Sequence, residues 1–139
     1  GESDSKVSKK KNALQYLIDE MAHDRDINLY DGGEHIRDFM YVDDVCKAIK
    51  MCLENAALND IINIGSGIPH RIKDLVMYSK QKLNSASTLH SIDPPNFHNV
   101  IQVKDMYLNI DKLQKLGYRQ AVTIEQGLDR ILARYTNEQ

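Results

Sequence analysis

The sequence predicts an α/β domain, and two observations point to it. Segments with the helical period of about 3.6 residues alternate with short apolar runs that suit strands, and Gly- or Pro-rich turns separate them. Hydrophobic residues make up 42% of the 139 residues and charged residues 27%, a balance typical of a chain with a buried core. We therefore expect about four to five helices interleaved with short strands, in one domain.

The first half of the chain predicts two helices and three extended segments. Residues 8–22 place apolar side chains at i, i+3, i+4 and i+7, which predicts a helix. The turn Asp31-Gly32-Gly33 favours antiparallel pairing of the runs on either side of it. Asp43 and Asp44 precede a second helix, and we interpret both as capping residues. The remaining predicted segments are a strand over residues 27–30, a β-rich run over 36–42, a helix over 45–53 and a strand over 61–64.

The second half continues the alternation. Thr123-Ile124-Glu125-Gln126 is a capping box that opens the last helix. Gly117 follows a short helical pattern and is expected to end it. An α/β domain normally begins with a strand, whereas this chain runs straight into a helix, so we expect the beginning of the fold to be missing. The other predicted segments are a helix over residues 71–83, extended pieces over 100–103 and 106–110, and a short helix over 111–116.

Composition excludes several classes of function. The net charge is −2, so the overall field does not favour nucleic acid or a membrane surface, and no apolar run approaches the roughly 18 residues that span a bilayer. Cys46 and Cys52 cannot form a disulfide framework, which favours a reducing compartment. The histidines show no paired ligand spacing, so no metal site is expected. These features predict a cytoplasmic protein.

Three blocks of sequence together resemble a known family. They are Leu29-Tyr30-Asp31-Gly32-Gly33-Glu34-His35-Ile36-Arg37-Asp38-Phe39-Met40-Tyr41-Val42-Asp43-Asp44-Val45, Ile62-Asn63-Ile64-Gly65-Ser66-Gly67 and Asp111-Lys112-Leu113-Gln114-Lys115-Leu116-Gly117-Tyr118. In this order they resemble the C-terminal half of the extended short-chain dehydrogenases/reductases, the NAD-dependent nucleotide-sugar epimerases and dehydratases. The resemblance covers essentially residues 1–139, which we interpret as a single partial domain, the substrate-binding C-terminal lobe of a Rossmann-type fold.

The catalytic half of that family has no counterpart in the sequence. The resemblance implies a Gly-rich turn (G-x-x-G-x-x-G) for NAD or NADP and a catalytic Tyr-x-x-x-Lys, both upstream of the matched blocks. No G-x-x-G-x-x-G is present, and the one Tyr-x-x-x-Lys, Tyr78 to Lys82, lies on the wrong predicted helix and is interpreted as a chance match. We therefore predict no catalytic residue here, and a chain that is inactive without its Rossmann half, supplied in cis or in trans.

The resemblance also implies substrate-binding residues for a nucleotide-diphosphate sugar. Arg37 would hold the diphosphate, since a guanidinium matches two phosphate oxygens at once, although such an arginine more often forms a surface ion pair. Asp38 is expected to orient Arg37 or to hold the backbone. Asn63 contacts substrate or satisfies a turn, and Lys6 reaches a phosphate or lies on a solvated helix start.

One departure from the family bears on the second phosphate contact. Many members carry an "RPGD" segment whose arginine also holds the diphosphate, but residues 94–104 of this chain contain no arginine. Lys104 and His98 are the candidates to replace it. The nucleotide, the sugar and the reaction (epimerisation, dehydration or reduction) stay open.

A second interpretation is a non-catalytic binding module or degenerate remnant that pairs with a separate N-terminal half. In the family the segments 45–53 and 61–64 would pack against the missing half, so alone they would expose more apolar surface than a monomer tolerates. We therefore expect this chain to self-associate or to bind that half.

Overall fold

The computed structural model describes residues 12–55, 60–95 and 103–136, and it confirms the α/β class. Over these residues five helices alternate with five short strands. The helices are α1 (Ala13–Ala22), α2 (Val42–Asn55), α3 (Ile72–Leu83), α4 (Asp111–Lys115) and α5 (Ile124–Thr136). The strands are β1 (Ile27–Tyr30), β2 (Ile36–Asp38), β3 (Pro69–Arg71), β4 (Leu89–Ile92) and β5 (Asp105–Met106).

The strands form two small sheets in place of the expected hairpin. β1 pairs in parallel with β4, from Ile27 opposite Leu89 to Tyr30 opposite Ile92. β2 lies between antiparallel β3 and parallel β5. The antiparallel pairing predicted around Asp31-Gly32-Gly33 is therefore wrong. These three residues have φ of 48°, 64° and 78° and form a single 3₁₀ turn, which carries the chain from one sheet to the other.

Two apolar clusters hold the elements together. The larger one packs α1, α3 and α5 around β1, and its fully buried members include Ile18, Met21 and Val76. The smaller one joins α2 to α4 through Ala48 and Leu113. Burial of side chains this size stabilises a fold by about 1.5–3 kcal/mol each, so both clusters contribute substantially.

The helix-end predictions are confirmed at several positions. The Gln126 amide donates to the Thr123 hydroxyl at 3.2 Å, and the Thr123 amide donates to the Gln126 side chain at 3.0 Å, as a capping box requires. Gly117, with φ of 98°, follows α4 and ends it. The first helix was predicted from residue 8, but it begins at Ala13, where the Asn12 side chain accepts the Gln15 amide as N-cap.

The predicted strand over residues 61–64 is not present as a strand. The backbone there is joined to no other described strand, and residues 62–64 make no backbone hydrogen bond within the described part of the chain. Exposure nevertheless alternates as in a strand: Ile61 and Asn63 are exposed, whereas Ile62 and Ile64 pack on the smaller cluster. The sequence has the strand period, but a strand needs a neighbour.

Parts of two other predictions lie outside the described residues. They are the start of the first helix, before residue 12, and the extended piece over 100–102. No helix among the described residues is long and apolar enough to cross a bilayer.

Candidate functional site

Arg37 is the centre of the candidate site, and β2 places it. Its backbone lies opposite His70 of β3 on one side and Met106 of β5 on the other. The side chain is half-buried, and its Nη1 donates to the carbonyls of Ile36 and Lys104, both at 2.7 Å. One end of the guanidinium is thus fixed against the main chain, while its other N–H groups have no partner among the described residues.

Arg37 also lacks a counter-ion among the described residues, unlike three other arginines. Arg25, Arg71 and Arg130 each lie within 3.4 Å of a carboxylate. The ordinary alternative for Arg37, a surface ion pair, is therefore not formed within the part of the chain that the structure describes. A half-buried guanidinium without a carboxylate is suited to bind an anion.

The structure brings Lys104 to Arg37 but not Asn63. The Lys104 carbonyl accepts from Arg37 at 2.7 Å, and the Lys104 side chain is exposed. The Asn63 amide instead donates to the Asn109 carbonyl at 3.0 Å, and no contact joins it to Arg37 or Lys104. Lys6 and His98, the other predicted phosphate contacts, lie outside the described residues.

Asp38 holds the backbone around the site. Its Oδ1 accepts from the Ser66 amide at 2.8 Å and the Ser66 hydroxyl at 2.6 Å. Its Oδ2 accepts from the amides of Gly67 at 3.0 Å and Leu108 at 3.1 Å. This confirms the prediction that Asp38 holds the backbone. Burial raises the pKa of this carboxyl, but the Ser66 hydroxyl and the three amides outweigh it, so the pKa is lowered overall.

Gly65 is required by the same arrangement. A Cβ at this position would lie 2.7 Å from the Asp38 Oδ2 and 2.9 Å from a Leu108 methyl group. Only a residue without a side chain therefore lets the turn after residues 61–64 close on the carboxylate.

A cleft of about 680 Å³ lies beside the backbone that the Asp38 carboxylate holds. Ser66, Gly67 and Leu108, which Asp38 fixes, form part of its wall. Neither Arg37 nor Lys104 lines it, and the charged residues among its described lining are Asp111 and Arg119, which are of opposite sign. Within the described residues, the cleft and the candidate anion site therefore share no lining residue.

Asp44 has a role that the sequence analysis missed. Asp43 and Asp44 were expected to precede the second helix, but α2 begins at Val42, so both lie in its first turn, and the Asp44 side chain is fully buried. Its Oδ2 accepts from the amides of Ala121 at 3.0 Å and Val122 at 2.8 Å, so it anchors the segment before α5 instead of capping α2. The buried Tyr118 hydroxyl, which has no partner among the described residues, has its pKa raised to about 12 by burial and by Asp44 and Asp38.

The Tyr78-x-x-x-Lys82 pair is engaged in a structural contact. The Tyr78 hydroxyl donates to the Asp129 carboxylate at 2.8 Å, and the Lys82 ammonium group lies 3.2 Å from the same carboxylate. Burial and Asp129 raise the pKa of Tyr78, the opposite of what a phenolic base needs. The pair therefore joins α3 to α5. No cluster of three metal-ligating side chains occurs over the described ranges.

Comparison with known proteins bears on the family directly. Residues 1–65 match the model of the NAD-dependent epimerase/dehydratase family. The resemblance to this family is confirmed. The chain is 27% identical over 130 residues to a dTDP-4-dehydro-6-deoxyglucose reductase of Escherichia coli, covering 91% of this chain and 39% of the relative. It is 29% identical over 119 residues to a putative UDP-glucose 4-epimerase of Methanocaldococcus jannaschii, covering 86% and 37%.

A solved epimerase structure has the same fold. The UDP-glucuronic acid 4-epimerase of Bacillus cereus, in complex with UDP-glucuronic acid and NAD, superposes with a TM-score of 0.78 at 22% identity, over 93% of this chain and 41% of that one. The chain thus spans about two fifths of the length of these epimerase/dehydratase relatives. The relatives differ in sugar and in reaction, so the family does not by itself fix either.

Proposed function

We propose that this chain is the substrate-binding portion of an NAD-dependent nucleotide-sugar epimerase/dehydratase, and that it is catalytically incomplete by itself. Its ligand would be a nucleotide-diphosphate sugar, as the names of its relatives suggest. The catalytic base and the NAD(P) site would be supplied by a Rossmann half, in cis or in trans. The residues present do not fit a dinucleotide, since the sequence has no Gly-rich turn.

The observation that carries the proposal is the state of Arg37. Its guanidinium is held at one end by two carbonyls at 2.7 Å, and it has no carboxylate partner among the described residues. A diphosphate bound there would receive charge-assisted hydrogen bonds from the free N–H groups of the fork. Lys104 lies on the neighbouring chain segment, and its exposed ammonium group would contact the second phosphate.

Asn63 and Lys6 would have lesser roles in this arrangement. The Asn63 amide is already bonded to the Asn109 carbonyl, so it would support the loop beside the substrate. A contact between Lys6 and a phosphate remains part of the proposal, carried by the resemblance alone. A bound NAD(P) would supply transient oxidation at a sugar carbon. Arg37, Lys104, Asn63 and Lys6 would only bind and orient the substrate.

The apolar surface of α2 suggests where the Rossmann half would pack. Val42, Cys46, Ile49 and Leu53 follow one another at helical spacing and are all exposed, Leu53 by 83%. We call these four residues the α2 stripe. The extended segment 61–64 packs on the same cluster as α2 and leaves Ile61 84% exposed, and the backbone groups of residues 62–64 have no partner among the described residues. A sheet edge from the other half would both pair with this segment and cover the stripe.

Calorimetry on the full 139-residue chain tests the ligand. UDP-, dTDP-, GDP-, CDP- and ADP-glucose are titrated into the wild type and into Arg37→Ala, with Arg25→Ala as the matched control because Arg25 is held by Asp19 and Glu20. Loss of a charged hydrogen-bond donor predicts affinity at least about tenfold weaker for Arg37→Ala. Unchanged affinity in Arg37→Ala, or no binding of any of the five ligands by the wild type, would contradict the proposal.

Sedimentation velocity tests the apolar surface. The wild type is expected to self-associate as its concentration rises, and Leu53→Asp to shift it towards monomer. Met77→Asp, on the exposed side of α3, is the control because Met77 is 53% exposed but outside the stripe. A wild type that is monomeric at high concentration and binds no hydrophobic dye would count against an exposed docking surface.

A further inference from the structure

The cleft beside the backbone that Asp38 holds has the size of a small-molecule site. Its volume of about 680 Å³ lies within the range of about 300–1,000 Å³ that is usual for ligand pockets. We call it the α4 cleft, because it is lined by side chains of α4 and of the segments on either side of that helix, among them Tyr107, Asp111, Gln114 and Arg119. The residues proposed to contact the diphosphate do not line it, so the proposed function leaves this cleft unused.

Two carboxylates fix parts of the wall of the α4 cleft. Asp38 holds three of the lining residues through their backbone amides. Asp44 accepts the amides of Ala121 and Val122, which directly follow the lining residue Gln120. A wall that is held in this way is ordered before a ligand enters, and such preorganisation lowers the entropic cost of binding.

Arg119 supplies the positive charge of the cleft. Its Nη1 donates to the carbonyl of Gln114 at 3.2 Å and to that of Tyr118 at 2.7 Å, so one end of the guanidinium caps the C-terminal end of α4. Over the described ranges no carboxylate forms an ion pair with it, whereas Arg25 and Arg71 are both paired. The remaining N–H groups of the fork are therefore suited to bind a carboxylate.

Other side chains of the α4 cleft offer groups that suit hydroxyls. The Asp111 Oδ2 accepts from the Asn109 side chain at 3.1 Å, and its Oδ1 has no hydrogen-bond partner in the part of the chain that the structure describes. The exposed Gln114 amide, which likewise makes no side-chain hydrogen bond to a described residue, can donate and accept at once. Tyr107 is 55% exposed, and the flat face of its ring suits the C–H face of a sugar.

We propose that the α4 cleft binds an acidic sugar with a single carboxylate, at a site separate from the diphosphate contact. The carboxylate lies on the guanidinium of Arg119, and the ring hydroxyls bind Asp111 and Gln114. Asp111 begins α4 and Arg119 caps its other end, and the five residues between these ends span about 7.5 Å, roughly the extent of one sugar ring with its carboxylate. Asp111 also balances the charge of Arg119, so the cleft favours one negative charge over the two of a phosphate monoester.

Proton–nitrogen NMR of the full ¹⁵N-labelled chain tests the class of ligand. D-Glucuronate, D-glucose, acetate and glucose 6-phosphate are titrated separately at pH 7. Glucuronate is expected to shift the amides of the lining residues Gly67, Leu108 and Gln120. Glucose and acetate should each bind at least about tenfold more weakly, because each lacks part of the contacts, and glucose 6-phosphate should also bind more weakly than glucuronate. Glucose or glucose 6-phosphate binding as tightly as glucuronate, or no shift of these amides with glucuronate, would overturn the proposal.

Substitutions locate the site on the chain. Arg119→Gln removes the charge but keeps a side-chain N–H donor, and it should weaken glucuronate binding at least about tenfold. Tyr107→Ser, at a second exposed position, should also weaken it by removing the ring. Arg25→Gln is the matched control, because Arg25 is held by Asp19 and Glu20 outside the cleft, and it should leave the affinity unchanged.

Two outcomes of these substitutions would refute the assignment. One is equal affinity of Arg119→Gln and the Arg25→Gln control for glucuronate. The other is a loss of binding in Arg37→Ala in place of Arg119→Gln, which would put the sugar acid at the diphosphate contact. Because glucuronate carries neither a nucleotide nor a diphosphate, failure here leaves the calorimetric test of Arg37 independent.

Discussion

Replacing Asp38 with asparagine removes one of the two oxygens around which the backbone of the site is arranged. The carboxylate accepts four hydrogen bonds, at 2.6–3.1 Å, from the Ser66 amide and hydroxyl and from the amides of Gly67 and Leu108. An asparagine of the same size has a single acceptor oxygen. Its NH₂ group would face two of these donors.

The cost follows from counting the donors that lose their acceptor. Two of the four contacts remain on the amide oxygen, and two donors meet another donor. Each polar group left unsatisfied in a buried place costs about 1–3 kcal/mol. Because Asp38 is only half-buried, water reaches part of this hydrogen-bonded group, so the lower half of the range of about 1–3 kcal/mol per donor applies. We therefore expect Asp38→Asn to lower the free energy of unfolding by about 2–4 kcal/mol.

Urea denaturation followed by circular dichroism measures this difference. The midpoint should fall with no change in slope, since the surface exposed on unfolding is the same. Asp43→Asn is the matched control, because Asp43 has one 3.4 Å contact with Arg130 at the exposed surface. It should change the free energy of unfolding by less than about 0.5 kcal/mol. An Asp38→Asn variant as stable as this control would refute the argument.

The difference in free energy of unfolding between the wild type and Asp38→Asn should depend on pH, with a sign that follows from the pKa of Asp38. The pKa of Asp38 is lower in the folded chain than in the unfolded one. Its stabilising contribution is therefore complete above the unfolded value of about 4 and is lost as the pH falls through the folded value. The gap between the wild type and Asp38→Asn should be constant from pH 7 to about pH 5 and should shrink below about pH 4. A gap that widens towards acid pH would contradict the assignment.

Three further substitutions are predicted from the described contacts. Asp44→Ala should lower the free energy of unfolding by about 2–4 kcal/mol in urea, because it leaves the amides of residues 121–122 without their buried acceptor. Tyr118→Phe should leave the thermal midpoint equal or higher, since its buried hydroxyl has no described partner, and it should remove the tyrosine that ionises near pH 12 in an absorbance titration. Gly127→Ala should lower the midpoint although alanine favours helices, because the new Cβ would lie 2.9 Å from the Tyr41 ring. A raised midpoint in Gly127→Ala would show that the ring moves aside freely.

The sequence predicted the elements whose signals are local. The helix α3, the capping box at Thr123 and the end of α4 at Gly117 depend on residues within one or two turns of each other, and all three are confirmed. The partner of β1 is 62 residues away, and no local pattern encodes it. The turn at 31–33 has the composition of a hairpin turn, so the hairpin was the natural but wrong inference.

In the candidate site too, residues with a local sequence signal were predicted, and residues that depend on distant contacts were missed. Arg37 was predicted from the matched blocks, and Asp38 was expected to hold backbone. The anchoring role of Asp44 and the burial of His35 were not predicted, because they depend on contacts distant in sequence, with residues 121–122 and with Lys104. The position of Asp44 at the start of a helix suggested a cap, and a single histidine carries no signal of burial. Only the tertiary arrangement shows that both are enclosed.

The parallel pairings of the two sheets have a consequence for the rate of folding. Ile27 must meet Leu89, and Ile36 must meet Asp105, before the first ladder bond of either parallel pair can form. Among the described strands no tight hairpin starts either sheet: β1 and β4 pair across 62 residues, and β2 pairs with β3 across at least 31 residues and with β5 across 69. Long loops must therefore close, at an entropic cost that precedes the gain. Refolding should therefore be limited by the search for these distant partners, with α1 and α3, whose contacts help assemble the larger cluster, in place before the strands.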